Sequence, residues 1–491
     1  MRRRTPFLPY LPLLAVSVVI AACADAPTAV APEEDANVLR PSFATVDDIL
    51  AGYEAPTRHL VVFKGQAPND FETQVAELGG RVVMNHPIGI ALVEDLDGEA
   101  ADALKTSVKA QYVEATPQFQ LIEPAAVASP IRARLAGATV PAAFTPASAD
   151  DPSQALLFEE QWNLRHVQAD AAWAAGRLGS PNVTVAILDT GIDYMLPDLQ
   201  GRVDLDRSVS FEPLDDLFGA IFYPDRHPST DLHYHGTNVA TQVASNAWAF
   251  AGVTSRTTLM SVKVCSFLGG CSGVIEGILY AIDNGADVIN MSLGGWFAKS
   301  AYPGMVSAYN AIMNYAKQQG VTIVVAAGND GNDLDTHKNI GIRDPVTGEI
   351  VERIHVPSFF ATFCDATHVI CVSATRIDDE PANYTNYGRS AIDVAAPGGV
   401  SGEWVYSLCP QTSLAFFCED GYYTLGVAGT SQATPHVAGL AALAVEDVGR
   451  NVAQVRAYIR NSADRIPGHG GNSPYYGKGR INVARAVGAT K

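Results

Sequence analysis

The sequence predicts two units in series. The larger, over residues 154–491, is an α/β domain with a mostly parallel sheet covered by helices on both faces. The smaller, over residues 57–123, is an α+β domain of ferredoxin-like order. Two observations carry the large domain. Residues 183–188 (Val-Thr-Val-Ala-Ile-Leu) and 322–327 (Thr-Ile-Val-Val-Ala-Ala) are apolar runs with no alternation. Between them a helical stretch from Gly273 to Asn284 leads into a strand-like run at Asp287–Met291. Unbroken apolar strands separated by helices belong to a parallel sheet buried on both sides. The third observation carries the small domain. His59–Phe63 is strand-like, Asp70–Leu78 helical, Arg81–Val93 a hairpin, Glu99–Lys109 helical and Tyr112–Glu114 strand-like. That order of strand, helix, two strands, helix and strand is the ferredoxin-like one.

The flanking segments read as processing and connection. Arg2, Arg3 and Arg4 precede an apolar core from Leu11 to Ile20, so residues 1–23 form an export signal, too short for a membrane span. Its end, Ile-Ala-Ala-Cys at 20–23, resembles the lipobox of bacterial lipoproteins. That resemblance implies cleavage before Cys23 and membrane attachment by a lipid on it, at the cell envelope. The alternative is ordinary cleavage at Ala22–Ala24 or Ala24–Ala26, giving a secreted protein. Residues 24–56 read as a tether, and the Ala-, Pro- and Ser-rich residues 124–153 as a linker holding a processing site.

Composition excludes some functions. With 33 Lys and Arg against 52 Asp and Glu, the net charge of −19 argues against nucleic acid as a partner. Of seven cysteines Cys23 stands apart, and the others fall close together: Cys265 with Cys271, Cys364 with Cys371, Cys409 with Cys418. Export favours structural disulfides, with neighbours as the natural partners, although six cysteines allow many connectivities. A metal site is the rival reading, but no Cys-x-x-Cys spacing occurs and no histidine accompanies the pairs at zinc-like intervals.

Four segments carry chemistry. Asp189 follows a buried strand, where open α/β sheets build sites. His235 opens a helix in His-Gly-Thr-Asn-Val-Ala. Ser431 lies in Gly-Thr-Ser-Gln-Ala-Thr-Pro-His-Val-Ala-Gly at 429–439, and Asn329 follows the apolar run at 322–327. Each alone has a plain explanation as a turn, a cap or surface decoration. Together they supply nucleophile, base, orienting carboxylate and oxyanion donor.

From about Gln161 to Ala486 the chain resembles the subtilisin (subtilase, S8) family of serine proteases, with its order Asp, His, Ser. Further matching stretches are 287–295, 393–398 and 476–482, and residues 58–123 resemble the family's inhibitory propeptide. The resemblance implies a subtilisin-like fold and a secreted endopeptidase made as a self-processed zymogen. Its catalytic residues would be Asp189, His235 and Ser431, with Asn329 in the oxyanion hole. It also implies that Ser292, Leu293, Gly294, Gly295, Ala326, Ala327 and Gly328 line the cleft, where a peptide lies as an added strand. No acidic residue falls in these two segments, so an apolar-leaning specificity is expected.

Partners are then protein or peptide substrates and the chain's own propeptide, acting as an intramolecular inhibitor on a monomer. No cofactor is required for the chemistry. A structural calcium fits the family and the carboxylates Asp193, Asp198, Asp204 and Asp206, for which a solvated acidic surface is the equal alternative. Departures from the family pattern are Thr241 in place of glycine, Thr254-Ser255 in place of Ala-Pro, and an insertion at 211–228. His233 reads as a loop residue and His436 as structural. The competing functions are a non-catalytic exported binding lipoprotein of the same fold and a Ser-His esterase, the latter disfavoured by the absence of a Gly-x-Ser-x-Gly elbow.

Overall fold

The computed structural model describes residues 46, 49–53, 56–117, 119–122, 126–128, 150–336, 339–343, 350–355, 358–360, 363–414, 418, 424–467 and 472–489. The expected export signal, Cys23, most of the tether and most of the 124–153 linker lie outside these residues.

The small domain is built from β1 (Arg58–Val62), α1 (Phe71–Glu77), β2 (Arg81–His86), β3 (Ile90–Glu94), α2 (Gly98–Ser107) and β4 (Tyr112–Ala115). Its antiparallel sheet has the order β2-β3-β1-β4. Alternation decides which side faces where. Val61, Ala91 and Val93 turn to α1 and α2, whereas Leu60, Val62, Ile90 and Leu92 join a core of the large domain. Two short strands follow, β5 (Phe119–Leu121) and β6 (Ala126–Ala128), and both pair with the large domain.

The large domain holds a seven-stranded sheet of β7 (Thr184–Asp189), β8 (Val209–Ser210), β9 (Thr258–Lys263), β11 (Val288–Met291), β13 (Thr322–Ala326), β14 (Val369–Thr375) and β15 (Val394–Pro397). The order is β15-β14-β13-β11-β7-β9-β8, and every neighbouring pair is parallel. Two separate cores explain the unbroken apolar strands. On one face Val185, Ile187, Val324 and Val372 meet α4 (His235–Val243) and α7 (Thr430–Val448). On the other, Ala186, Leu188, Ile323 and Val325 meet α5 (Val274–Asp283) and α6 (Pro303–Gln319). The short strands β10 (Gly270–Cys271) and β12 (Leu293–Gly294) lie outside this sheet, as do β16 (Val405–Leu408) and β17 (Thr424–Ala428). The cysteines pair as neighbours: Cys265–Cys271, Cys364–Cys371 and Cys409–Cys418.

The insertion forms helix α3 (Pro213–Phe222), started by proline at its first position. It is fastened by a fully buried ion pair, with Lys263 Nζ 3.1 Å from Asp215 Oδ2. Lys263 stands in register with Asp189 on the adjacent strand, so the insertion is anchored beside the sheet's carboxyl ends. Asp215→Ala should leave the Lys263 ammonium buried without its counter-charge. We expect a stability loss of about 3–5 kcal/mol, whereas replacing both residues by apolar ones of similar volume should cost far less. Urea melts in a Ser431→Ala background check this; equal losses in the two variants would refute it.

Candidate active site

Asp189 ends β7 and His235 opens α4. Both are buried, and His235 Nδ1 lies 2.8 Å from Asp189 Oδ1 and 3.0 Å from Oδ2. The two segments approach backbone to backbone. A Cβ on Gly236 would fall 2.1 Å from the Gly191 carbonyl oxygen, and Gly191 itself sits at φ +109°. Only glycine permits both.

A second carboxylate ties these segments together. Asp231, four residues before the histidine and wholly buried, accepts from Thr190 Oγ1 at 2.9 Å and His233 N at 2.9 Å. It also accepts from Thr237 N at 2.9 Å and Thr237 Oγ1 at 2.7 Å. Thr190 adjoins Asp189 and receives the Gly236 N–H at 2.9 Å. One anion near the N-terminal end of α4 thus fixes both the aspartate loop and the histidine helix. Sequence reasoning missed Asp231; its position just upstream of a helix-opening His-Gly-Thr was the available signal.

Ser431 sits in the first turn of α7, whose residues from Thr430 to Val445 are all buried. Pro435 lacks the N–H that would otherwise bond the Ser431 carbonyl in the helix ladder. That carbonyl instead accepts from Ser292 Oγ at 3.0 Å, while Ser431 Oγ lies 3.2 Å from the Ser292 carbonyl oxygen. Serine and cleft wall are therefore mutually fixed. Asn329 Oδ1 accepts from Thr430 N and Thr430 Oγ1, both at 2.9 Å, which fixes where its amide nitrogen points. A Cβ on Gly429 would lie 3.0 Å from that nitrogen.

The groove is filled by the chain itself. β5 runs antiparallel between β10 and β12, with Gln120 opposite Gly270 and Gly294, Phe119 opposite Cys271 and Leu121 opposite Leu293. Leu121 N donates to Gly269 O at 2.9 Å. Phe119 is buried among the rings of Phe297, Tyr309 and Phe363, and a Cβ on Gly295 would come within 3.1 Å of it. The next residue, Ile122, places its carbonyl oxygen 3.5 Å from Ser431 Oγ. Beyond it, β6 pairs with β17, the strand that leads into Gly429 and Ser431. The sequence led us to expect the preceding segment in the cleft as an added strand; which residues fill it, 119–122, was not anticipated.

The other expected residues fall as follows. Leu293 and Gly294 touch the inserted strand through the backbone, and Ser292 touches the serine. Ala326, Ala327 and Gly328 are buried at the carboxyl end of β13, with Asn386 bonded to Ala327 O at 2.8 Å and Gly328 O at 2.9 Å. Thr241 turns its hydroxyl back to Thr237 O at 2.8 Å. His233 stacks on Tyr234, and burial lowers it to about 3; His436 bonds Gln432 O at 2.7 Å and is lowered by burial to about 4. Both rings are neutral near pH 7.

The four carboxylates considered for calcium do not converge. Among the described residues no three His, Cys, Asp or Glu side chains are grouped to hold a metal. Asp204 pairs with Arg207, and Asp193 takes the Met195 and Gln411 amides. Asp198 Oδ1 accepts from Ser245, Ala249 and Phe250.

A strand laid along a serine at the start of one buried helix, and a carboxylate-bound histidine at the start of a second helix packed in the same core, belong to an α/β fold of the serine endopeptidase class. The chain belongs to the subtilase family, whose sequence profile matches residues 180–479. It is 33% identical over 341 residues to thermitase of Thermoactinomyces vulgaris, covering 68% of this chain and 99% of that protein. It is 32% identical over 352 residues to subtilisin NAT of Bacillus subtilis subsp. natto, covering 69% and 76%. Among solved structures, the fold resembles the epidermin leader peptide processing serine protease of Staphylococcus aureus, with TM-score 0.66 and 20% identity over 88% of this chain and 98% of that one. It also resembles fervidolysin of Fervidobacterium pennivorans, with TM-score 0.61 and 23% identity over 88% and 61%.

Burial pushes the Asp231 carboxyl up to about 6, against the lowering pull of its hydrogen bonds from Thr237, His233 and Thr190. A raised carboxyl stabilises the fold in its protonated form. That contribution is complete below about pH 4 and is lost as pH rises through about 6. The thermal midpoint of the Ser431→Ala protein should therefore fall across this window, and adding Asp231→Asn should flatten the fall. An unaltered slope would assign the titration to other groups.

Proposed function

We propose that this serine endopeptidase is exported as a zymogen that cuts its own Ile122–Glu123 bond, using Ser431 as nucleophile, His235 as base and Asp189 as orienter. The observation that carries the reading is the strand Phe119–Leu121 in the groove with the Ile122 carbonyl oxygen 3.5 Å from Ser431 Oγ. That carbonyl is then the one attacked. Ser431 Oγ adds to the Ile122 carbonyl carbon while His235 takes the hydroxyl proton, and Asp189 holds the Nδ1–H and the imidazolium charge. The oxyanion is held by the Asn329 side-chain amide and the Ser431 backbone N–H, with the positive end of α7 behind them. Collapse breaks the C–N bond, and His235 returns the proton to the Glu123 amine. Water, deprotonated by the same histidine, then hydrolyses the Ser431–Ile122 ester.

Residues 57–122 act as the inhibitor. Supporting this are the apolar face of the small sheet in the large domain's core and two charged contacts. Arg58 bonds Glu276 at 2.8 Å, and Glu114 accepts the Gly304 and Met305 amides at 2.8 and 3.1 Å, at the start of α6. The Phe119 pocket and Ile122 at the bond support a preference for apolar side chains on the acyl side of a substrate. A lipid on Cys23 would lie upstream of the cut, so processing would free the mature enzyme from the membrane.

A fluorophosphonate probe should label the processed protein and not Ser431→Ala, and the mature N-terminus should begin at Glu123. Casein should be cleaved in preference to short-chain esters. A folded protein that stays unlabelled would favour a non-catalytic binding lipoprotein instead. Asn329→Ala should lower kcat by about 10²–10³-fold with little change in KM, the size that losing one such donor costs in subtilisin.

A further inference from the structure

Helix α3 of the insertion turns Leu214 and Phe218 into a small core with Tyr223, Leu232 and Phe267, separate from the two cores of the large sheet. Its remaining members link the insertion to segments at the site. Leu232 stands three residues before His235, and Phe267 lies in the Cys265–Cys271 loop that presents β10. Leu414 packs on the same core and belongs to the loop spanned by Cys409–Cys418.

The large domain does not close this core by itself. Val46, Ile49, Leu50 and Tyr53, from the segment ahead of the small domain, pack against it. Their offsets of three, four and seven residues put four apolar side chains on one helical face. Residues 46 and 49–51 are helical, and Gly52 N and Tyr53 N close the turn on Ile49 O and Leu50 O, both at 3.2 Å. The end of the segment read as a tether is therefore packed, on a part of the enzyme domain absent from the family pattern. Leu217 and Ile221, on the same helix, are 42% and 48% exposed, so vacating the core would widen an existing apolar surface.

We infer that the insertion helix is a docking site for a helical, apolar-faced segment, and that its occupant is the chain's own residues 46 and 49–53, which makes the propeptide a bivalent ligand of the enzyme domain. One contact is the strand in the groove; the other lies on α3, and the folded small domain joins them. With the first contact made, the second forms intramolecularly at high effective concentration, so release requires both to open together. The inference rests on the reading that the Ile122–Glu123 bond is cut. After that cut, the α3 contact retains the propeptide while the strand is free to exchange.

The test is a full-length chain carrying Ile49→Asp and Leu50→Asp. N-terminal sequencing follows the cut, size-exclusion chromatography over time follows retention of the cleaved propeptide, and a chromogenic peptide follows activity. The cut should proceed at the wild-type rate, while the propeptide dissociates about tenfold faster or more and activity appears correspondingly earlier. Phe222→Asp, on the enzyme side, should act likewise. Leu217→Asp adds the same charge to an exposed position of α3 and should leave retention unchanged. Wild-type release from both the Ile49/Leu50 and the Phe222 variants overturns the docking site. Absence of the cut in the wild type overturns the processing reading, and the bivalent propeptide with it.

Discussion

A helix buried from Thr430 to Val445 has no water to satisfy its polar groups, and much of the site's geometry follows from that constraint. Its first amide finds Asn329 Oδ1, and the carbonyl left open by Pro435 finds Ser292 Oγ. Thr434 Oγ1 returns to Thr430 O at 2.8 Å, and His436 bridges Gln432 O and Asn163. The partners from outside the helix, Asn329, Ser292 and Asn163, each come from a different part of the chain. The residues that line the groove are thereby fixed relative to Ser431 as a requirement of folding, before any substrate arrives. On the proposed mechanism this is preorganisation in a concrete form: the donors would not need to reorient when charge develops.

The same economy governs the carboxylates. Asp189, Asp231 and Asp215 are all buried, and each joins segments distant in sequence. Asp189 meets the histidine, Asp231 holds the loop on either side of that contact, and Asp215 fastens the insertion to Lys263 beside them. An anion removed from water is stable only where several donors converge, so each marks a place where segments are held in one arrangement. The two faces of the sheet divide the remaining labour. The face packed by α4 and α7 carries the histidine and serine, and the other face, through α5 and α6, receives the small domain.

How much of this was legible in the sequence depended on the range of the cause. The strands β7 and β13 were legible because burial on both faces writes itself into consecutive residues. Asp189, His235, Asn329 and Ser431 stood out as candidates because short motifs of fixed spacing surround them. The disulfides were suggested by proximity alone. Asp231 was missed, since a carboxylate in a polar loop looks the same whether it is solvated or capped by four donors, and its place just upstream of His-Gly-Thr was the hint on offer. Nor was β5: Phe-Gln-Leu has no pattern of its own, and its strand conformation comes from the edges of β10 and β12. Helix α3 shows apolar residues beside Asp215 and Asp216, and nothing in that order reveals that one aspartate meets a buried lysine 48 residues away. In residues 46–53 the periodic signal is a single helical face, lost in the Ala-, Pro- and Glu-rich composition around it.

The strand β6 has a consequence for timing. It pairs with β17 just after the bond at Ser431, as β5 pairs with β10 and β12 just before it. If the Ile122–Glu123 bond is cut as proposed, two loose ends result, and β5 and β6 each keep their pairing partners. Scission and vacancy are thus separate events. The first would depend on the reacting atoms at Ser431 and the second on how quickly two strands peel from their separate partners, so a molecule could finish its chemistry and still be closed to any other peptide.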